Sequence, residues 1–237
     1  MKENSLNYLG SDPGAVKFGN FINYYSFHNV EKRMENLHPD MFPPSAGYEL
    51  LCLDIGCNTG NLTQQLYLYL KNMYPEKNIY ILAIDLDPKL IKRAQDTNNE
   101  KNITFISADI MAEEDKELVI KYLASFNQQR FHITFIFSVT MWIHLNNGDD
   151  GLLKFLHYLK DMSKILIIEP QPWSCYRNAQ RRIKKSGSTF DFYKSLTIRS
   201  NVDTVIENIL IDNYCKKIYE SCQSSWKRKI QSYKCTD

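Results

Sequence analysis

An α/β fold, with a mostly parallel seven-stranded sheet and an antiparallel hairpin at its C-terminal edge, is what this sequence predicts. Three observations carry the prediction. Residues 50–55 form a largely apolar run of strand length, with Asp54 near its end, that leads straight into a turn punctuated by Gly56 and Gly60. Residues 62–70 then space their apolar side chains as a helix does. Further strand-like runs alternate with helix-like stretches downstream, as repeated βαβ units require.

Taken in order, residues 1–16 hold Gly10, Pro13 and Gly14 with little periodicity and read as a loose lead-in to a single domain over 17–237. Residues 18–28 are dense in aromatic side chains for a segment outside the sheet. A helix is expected over 29–38, with Val30, Met34 and Leu37 on one face and Arg33 near its middle, before Pro39, Pro43 and Pro44 break the chain. The second strand covers 79–84 and ends in Asp85-Leu86-Asp87-Pro88, with a helix over 89–98 behind it. The third covers 103–107 and ends at Asp109, and a helix over 115–126 leads to 131–139, nearly all apolar and so a buried central strand. Residues 152–159 are expected as helix and 164–168 as the fifth strand, ending in Glu169-Pro170-Gln171-Pro172-Trp173. Helical stretches over 174–185 and 201–212 precede two β-like segments, 216–221 and 226–233, expected to pair as the hairpin.

At 43% hydrophobic and 24% charged, the 237 residues hold enough apolar material for a core of that size. A net charge of +2 excludes a globally basic nucleic-acid binder, so any such surface must be local. The cysteines at 52, 57, 175, 215, 222 and 235 form no C-x-x-C pair, which argues against a disulfide framework or a zinc site and for reduced thiols. No apolar run reaches the length of a membrane span, and 1–5 lack a signal-peptide core. A monomeric protein of the cytoplasm, with access to the nucleus and without a metal, is the expectation.

In a doubly wound sheet, ligands bind outside the carboxyl ends of the strands. Asp54, Asp85, Asp109 and the 138–140 edge all fall at such ends. The turn reads D-x-G-x-x-x-G through Asp54, Gly56 and Gly60, whereas a pyrophosphate cradle reads G-x-G-x-x-G. A ligand without phosphates needs no full cradle; an adenosyl sulfonium with an amino-acid tail needs close backbone and nearby carboxylates. Asp85 is placed to accept from ribose hydroxyls, and Asp109 from the adenine amino group with the Ile110 backbone beside it. This is the arrangement of a class I S-adenosylmethionine (SAM) methyltransferase. A nicotinamide dehydrogenase, the rival on this fold, is disfavoured by the glycine spacing.

On the acceptor side, 138–152 follows the fourth strand and lacks the Asn/Asp-Pro-Pro-Tyr motif of many amino-group methyltransferases. Segment 169–185 has no acidic residue after Glu169 but carries Arg177, Arg181, Arg182, Lys184 and Lys185. On a helix, 177, 181, 184 and 185 share one face. With Trp173 and Tyr176 at its mouth, that face suits phosphate binding with base stacking; it also reads as a solvated basic helix face.

The segments Phe18-Gly-Asn-Phe with Tyr24-Tyr25, 53–60, 84–87, 138–145 and 169–173 together resemble the bicoid-interacting-protein family of RNA 5′-end methyltransferases, over roughly residues 17–233. The stretches from Met141 to Asn146, Gly148 to Leu152 and Trp173 to Arg177 are similar to the branch that methylates a 5′-monophosphate; the other branch caps the γ-phosphate of a small nuclear RNA. The resemblance implies a small structured RNA with a 5′-phosphate as partner, histidine tRNA or microRNA precursors among them. It also implies that Arg33, Asn58, Asp85, Asp109, Ile110 and Phe137 contact SAM, with Arg33 at the methionine carboxylate, and that Tyr24 and Tyr25 cover the site. His28 stands where some relatives carry arginine and receives no role. A phosphate monoester has its second pKa near about 6, so the attacking oxygen is already ionised at neutral pH and no general base is needed. Hydrogen bonds from Tyr24, Tyr25, Thr140 or His144 are expected to position it, while the arginines grip the other oxygens. His144 also reads as a core histidine with its bonds satisfied.

Overall fold

The computed structural model describes residues 6–9 and 14–236. Five parallel strands, β1 (Glu49–Ile55), β2 (Asn78–Asp85), β3 (Ile103–Ser107), β4 (Phe131–Phe137) and β5 (Ser163–Glu169), are joined by β6 (Cys215–Glu220) and β7 (Gln231–Cys235). The sheet order is β3-β2-β1-β4-β5-β7-β6, with β7 antiparallel to both β5 and β6. From β1 the chain winds outward to β2 and β3 on one side and β4 and β5 on the other. The crevice between β1 and β4 is therefore the switch point where ligands bind.

Short helices α1 (Tyr24–Phe27) and α2 (Val30–Met34) precede the sheet. The crossovers are α3 (Asn61–Met73), α4 (Pro88–Thr97), α5 (Glu113–Ser125) and α6 (Thr140–Met162), followed by α7 (Trp173–Lys185) and α8 (Val202–Leu210). Both sheet faces are covered, which is why β1 and β4 read as continuous apolar runs. Alternate residues serve opposite layers: Leu51 and Leu53 pack with Leu145, Phe155 and Ile206, while Leu50 and Cys52 pack with Leu66, Leu70 and Ala94.

Several expected boundaries move for physical reasons. The helix expected over 29–38 ends at Met34, and Pro39–Met41 forms a 3-10 turn instead. Of the loose lead-in over 1–16, residues 1–5 and 10–13 lie outside the described residues, while Ala15 and Val16 are buried. The fourth strand stops at Phe137 because Ser138 adopts a φ of 62°. α6 begins at Thr140, well before the expected 152, and its two halves meet at Gly148 with φ 73° and ψ −176°. The final strand starts at Gln231, not 226, since residues 226–230 turn away over the sheet edge with Lys227 at a φ of 61°.

One expectation is corrected outright. Cys215 and Cys235 are joined by a disulfide, because the β6–β7 register sets them directly opposite each other. Twenty residues separate them, a spacing that carries no pairing signal by itself. Cys52, Cys57, Cys175 and Cys222 are free. Among the described residues no helix is long and apolar enough to cross a membrane.

The break in α6 gives a first prediction. A Cβ on Gly148 would lie 2.9 Å from the Phe192 ring, on a backbone conformation that essentially only glycine adopts. Gly148→Ala is expected to cost about 1–3 kcal/mol, read as a lower urea midpoint at unchanged slope. An unshifted midpoint would show that the break carries no such constraint.

Candidate active site

A cavity of about 350 Å³ opens outside the carboxyl ends of the parallel strands. Its floor is the β1 turn. Gly56 and Cys57 both donate their backbone N–H to Ile84 O, at 2.8 and 3.0 Å, which ties this turn to the end of β2. The left-handed backbone at Gly56 and Asn58 lets the chain double back in so few residues. Gly60, also left-handed, starts α3 and does not line the cavity; a Cβ there would lie 2.7 Å from Phe105.

Asp85 is buried at the end of β2, its two oxygens accepting from the backbone N–H of Asn58 (2.9 Å) and Asp87 (3.0 Å). Burial pushes its pKa up to about 6 despite those bonds. Asp54 is likewise raised to about 6 by burial, against a 2.6 Å hydrogen bond from Thr63. Asp109 follows β3, half-buried, accepting from Met111 N at 3.0 Å. Asn20 closes this side, donating to Asp87 at 2.7 Å, and its Oδ1 is buried without a partner among the described residues.

The opposite side has a different chemistry. Arg33 is fully buried and forks onto Glu169, with Nε to Oε2 at 3.0 Å and Nη2 to Oε1 at 3.1 Å. Nη2 also donates to the Tyr24 hydroxyl at 3.0 Å, and the guanidinium faces the rings of Tyr24, Phe137 and Trp226. Arg228 brings a second guanidinium to the same carboxylate at 3.2 Å and to Ser138 Oγ at 2.6 Å. Burial alone would raise Glu169; Arg33 and Arg228 outweigh it and hold the carboxyl below its usual range. Two guanidiniums on one carboxylate leave the cluster one positive charge in excess. His28, stacked on Tyr24 at 4.9 Å, is lowered to about 4 by burial and then by Arg228 and Arg33, so it is neutral at pH 7. Tyr25 donates to Cys57 O at 3.2 Å, and burial, then Asp54, keep its phenol protonated.

Of the residues singled out in the sequence, Tyr24, Tyr25, Arg33, Asp54, Gly56, Asn58, Asp85, Asp109, Ile110 and Phe137 line the cavity. Thr140 and His144 do not. Thr140 is buried and donates to Gln171 at 3.0 Å. His144 is fully buried between the Tyr176 hydroxyl (3.1 Å) and Asp149 (2.6 Å), the satisfied core histidine of the alternative reading. Tyr176 is itself fully buried, and Trp173 stacks between it and Tyr193 with Arg199 over its ring. Neither aromatic stands free at the mouth of a basic face. Arg177, Arg181 and Arg182 are exposed along α7, away from the cavity lining. Arg228, Trp226, Asn20 and the role of Glu169 are not among the site residues that the sequence predicts. Glu169 carried a usable signal as a strand-end carboxylate; Arg228 and Trp226 sat inside a stretch that reads as strand.

The family model for Bicoid-interacting protein 3 (Bin3) matches residues 131–235. The chain is 39% identical over 236 residues to the pre-miRNA 5′-monophosphate methyltransferase of Danio rerio, covering 92% of each. To the Xenopus laevis protein of the same description it is 40% identical over 239 residues, covering 94% of each. The chain belongs to the Bin3 family. Among solved structures, the N-methyltransferase NodS from Bradyrhizobium japonicum superposes with a TM-score of 0.52 at 15% identity, covering 91% of this chain and 99% of that one. At that identity the likeness is one of fold, that of class I SAM methyltransferases. This Bin3 chain is a SAM-dependent methyltransferase, and its cavity fits the cofactor: a wall carrying the acceptors Asp54, Asp85 and Asp109 suits a cation bearing hydroxyl and amino donors.

Because Glu169 is the one carboxylate shared by two buried guanidiniums, Glu169→Gln is expected to cost about 3–5 kcal/mol in urea unfolding at pH 7. Its lowered pKa sets the sign with pH. The stabilisation is complete above the ordinary value of 4.5 and is lost as pH falls through the depressed one. Wild type and variant should therefore converge in strong acid; a constant gap there would contradict the charge pairing.

Proposed function

We propose that this chain transfers the methyl group of SAM to the 5′-monophosphate of a small RNA. The observation that carries the reading is the adjacency of an acceptor-rich cofactor cavity to a buried cluster with one uncompensated positive charge, at the β4–β5 end where Ser138 and Glu169 meet. Relatives about 40% identical over nearly the whole chain, described as pre-miRNA 5′-monophosphate methyltransferases, support the same acceptor. Their description also favours the monophosphate over the γ-phosphate of a small nuclear RNA.

In this reading Asp85 accepts from the ribose hydroxyls, Asp109 and the Ile110 backbone take the adenine, and the turn through Gly56 and Asn58 lies along the ligand. Arg33 uses Nε and Nη2 on Glu169, so Nη1 is the nitrogen left for the methionine carboxylate. Bound there, SAM supplies a methyl group activated on a sulfonium. The protein's part is to hold an already ionised phosphate oxygen in line with that methyl. Tyr24, on the cavity wall and hydrogen-bonded to Arg33, can donate to the phosphate without withdrawing its charge. The shared carboxylate Glu169 moderates the two guanidiniums, which favours binding of the phosphate without quenching the attacking oxygen. Exposed Arg177, Arg181 and Arg182 then offer backbone contacts to the RNA beyond its end.

The deciding experiment is transfer of labelled methyl from SAM to matched small RNAs bearing a 5′-phosphate or a 5′-hydroxyl. Labelling is expected only on the phosphate form; phosphatase treatment of the RNA before the reaction should abolish it, and treatment afterwards should leave it in place. Equal labelling of both RNAs sinks the proposal.

Cofactor binding has its own pH signature. In the free protein Asp85 titrates near about 6, and hydroxyl donors favour its ionised form. SAM affinity is therefore expected to rise about tenfold between pH 5 and pH 8, measured calorimetrically. Asp85→Asn should weaken binding at pH 8 and flatten that profile. An unaltered profile in the variant would remove Asp85 from the ribose.

A further inference from the structure

Beyond β5 the sheet edge carries a second cavity, of about 330 Å³, which the proposed cofactor site does not use. It lies at the same end of the sheet. Gln231 opens β7 opposite Ile168, and Glu220 ends β6 opposite Gln231, so the loop between them stands over the carboxyl end of β5. Pro170 and Pro172 form one side, Thr204 of α8 another, and Gln223, Lys227 and Arg228 of the loop a third.

Arg228 belongs to both regions. Its Nη1 donates to Ser138, which lines the cofactor cavity, while the side chain also lines the second one. It is only 9% exposed, and its Nε is buried without a partner among the described residues. Trp226 Nε1, two residues earlier, is in the same condition, with its ring edge-on to His28 at 5.3 Å. Unpaired buried donors carry a desolvation cost that a ligand or a small shift of the loop can relieve.

The lining also states a preference. Glu207 and Glu220 are held by Lys217 and Gln231, so carboxylate acceptors stand beside ammonium and amide donors. A bare phosphate needs donors alone; a nucleobase edge needs both kinds. RNA leaving the methyl-transfer site has this edge open to it, because the β1–β3 side is occupied by the cofactor cavity.

We propose that the second cavity seats the nucleotide directly following the 5′-terminal one, with Arg228 as the wall shared with the methyl-transfer site. This rests on the reading of the chain as an RNA 5′-monophosphate methyltransferase. The seat makes the enzyme measure its acceptor as a 5′-phosphorylated chain, not as a lone nucleotide.

The test titrates a 5′-phosphorylated mononucleotide and a 5′-phosphorylated trinucleotide RNA against wild type, Thr204→Trp and Lys227→Glu. Wild type is expected to bind the trinucleotide about tenfold more tightly, the contribution of one seated base. Both variants should lose most of that difference while binding SAM as wild type does. A length advantage that persists in Thr204→Trp with SAM affinity intact overturns the second seat. Should Thr204→Trp fail to fold, seen as lost SAM binding, Lys227→Glu decides by the same difference. Wild-type binding without any length advantage overturns the seat alone, whereas a wild type that binds no 5′-phosphorylated RNA overturns the acceptor reading together with it.

Discussion

Glu169 sits fully buried between the guanidinium groups of Arg33 and Arg228, and the acceptor half of the molecule is arranged around that one carboxylate. The cluster gathers three remote parts of the chain: a short N-terminal helix, the end of β5 and the loop before β7. Taking an isolated arginine out of water is prohibitive, so each guanidinium enters only because the carboxylate and Ser138 are already there. The aromatic N-terminal segment is held over the cavity by the same bonds, through Tyr24 on Arg33. The N-terminal wall of the cavity and its β4–β5 end, distant in sequence, thus share one electrostatic anchor.

The two ends of the crevice carry opposite chemistry. Toward β1 and β2, buried Asp54 and Asp85 have raised pKa values and no ion-pair partner among the described residues, a local excess of acceptors that a cationic ligand with hydroxyl donors relieves. Toward β4 and β5, the arginines exceed the carboxylate. A methyl donor that is a cation and an acceptor that is an anion are each drawn to a different end and meet between them. Methyl transfer turns the sulfonium into a neutral thioether and removes one of the phosphate's two negative charges, which weakens the hold on both products. No proton has to move, consistent with His28 being neutral at pH 7 and the Tyr25 phenol remaining protonated.

The cofactor half was legible because its determinants are local. A strand-length apolar run, a glycine turn and carboxylates at successive strand ends are each a property of a few adjacent residues, and the sheet brings strand ends together by construction. The acceptor half was less so. Thr140 and His144 follow the fourth strand, as expected of acceptor contacts, but the positive φ at Ser138 re-aims the chain and α6 starts at once, rotating both side chains into the core. Tyr176 lies in the basic α7, yet it faces His144 and not the solvent. Residues 226–230 fall within a stretch expected as strand, yet they form a loop with Lys227 at a positive φ and Arg228 buried against Glu169.

What the sequence by itself determined is the sheet, its winding and the cofactor-facing residues, since periodicity and turn chemistry act over a handful of positions. Tertiary structure alone decided which charges meet. Arg33 and Glu169 are 136 residues apart and Arg228 a further 59 beyond Glu169, and the Cys215–Cys235 pairing depends on the register of two strands. Partner choice among buried charges depends on distance in space and on the loss of water between them, and neither quantity is written in the spacing of residues along a chain.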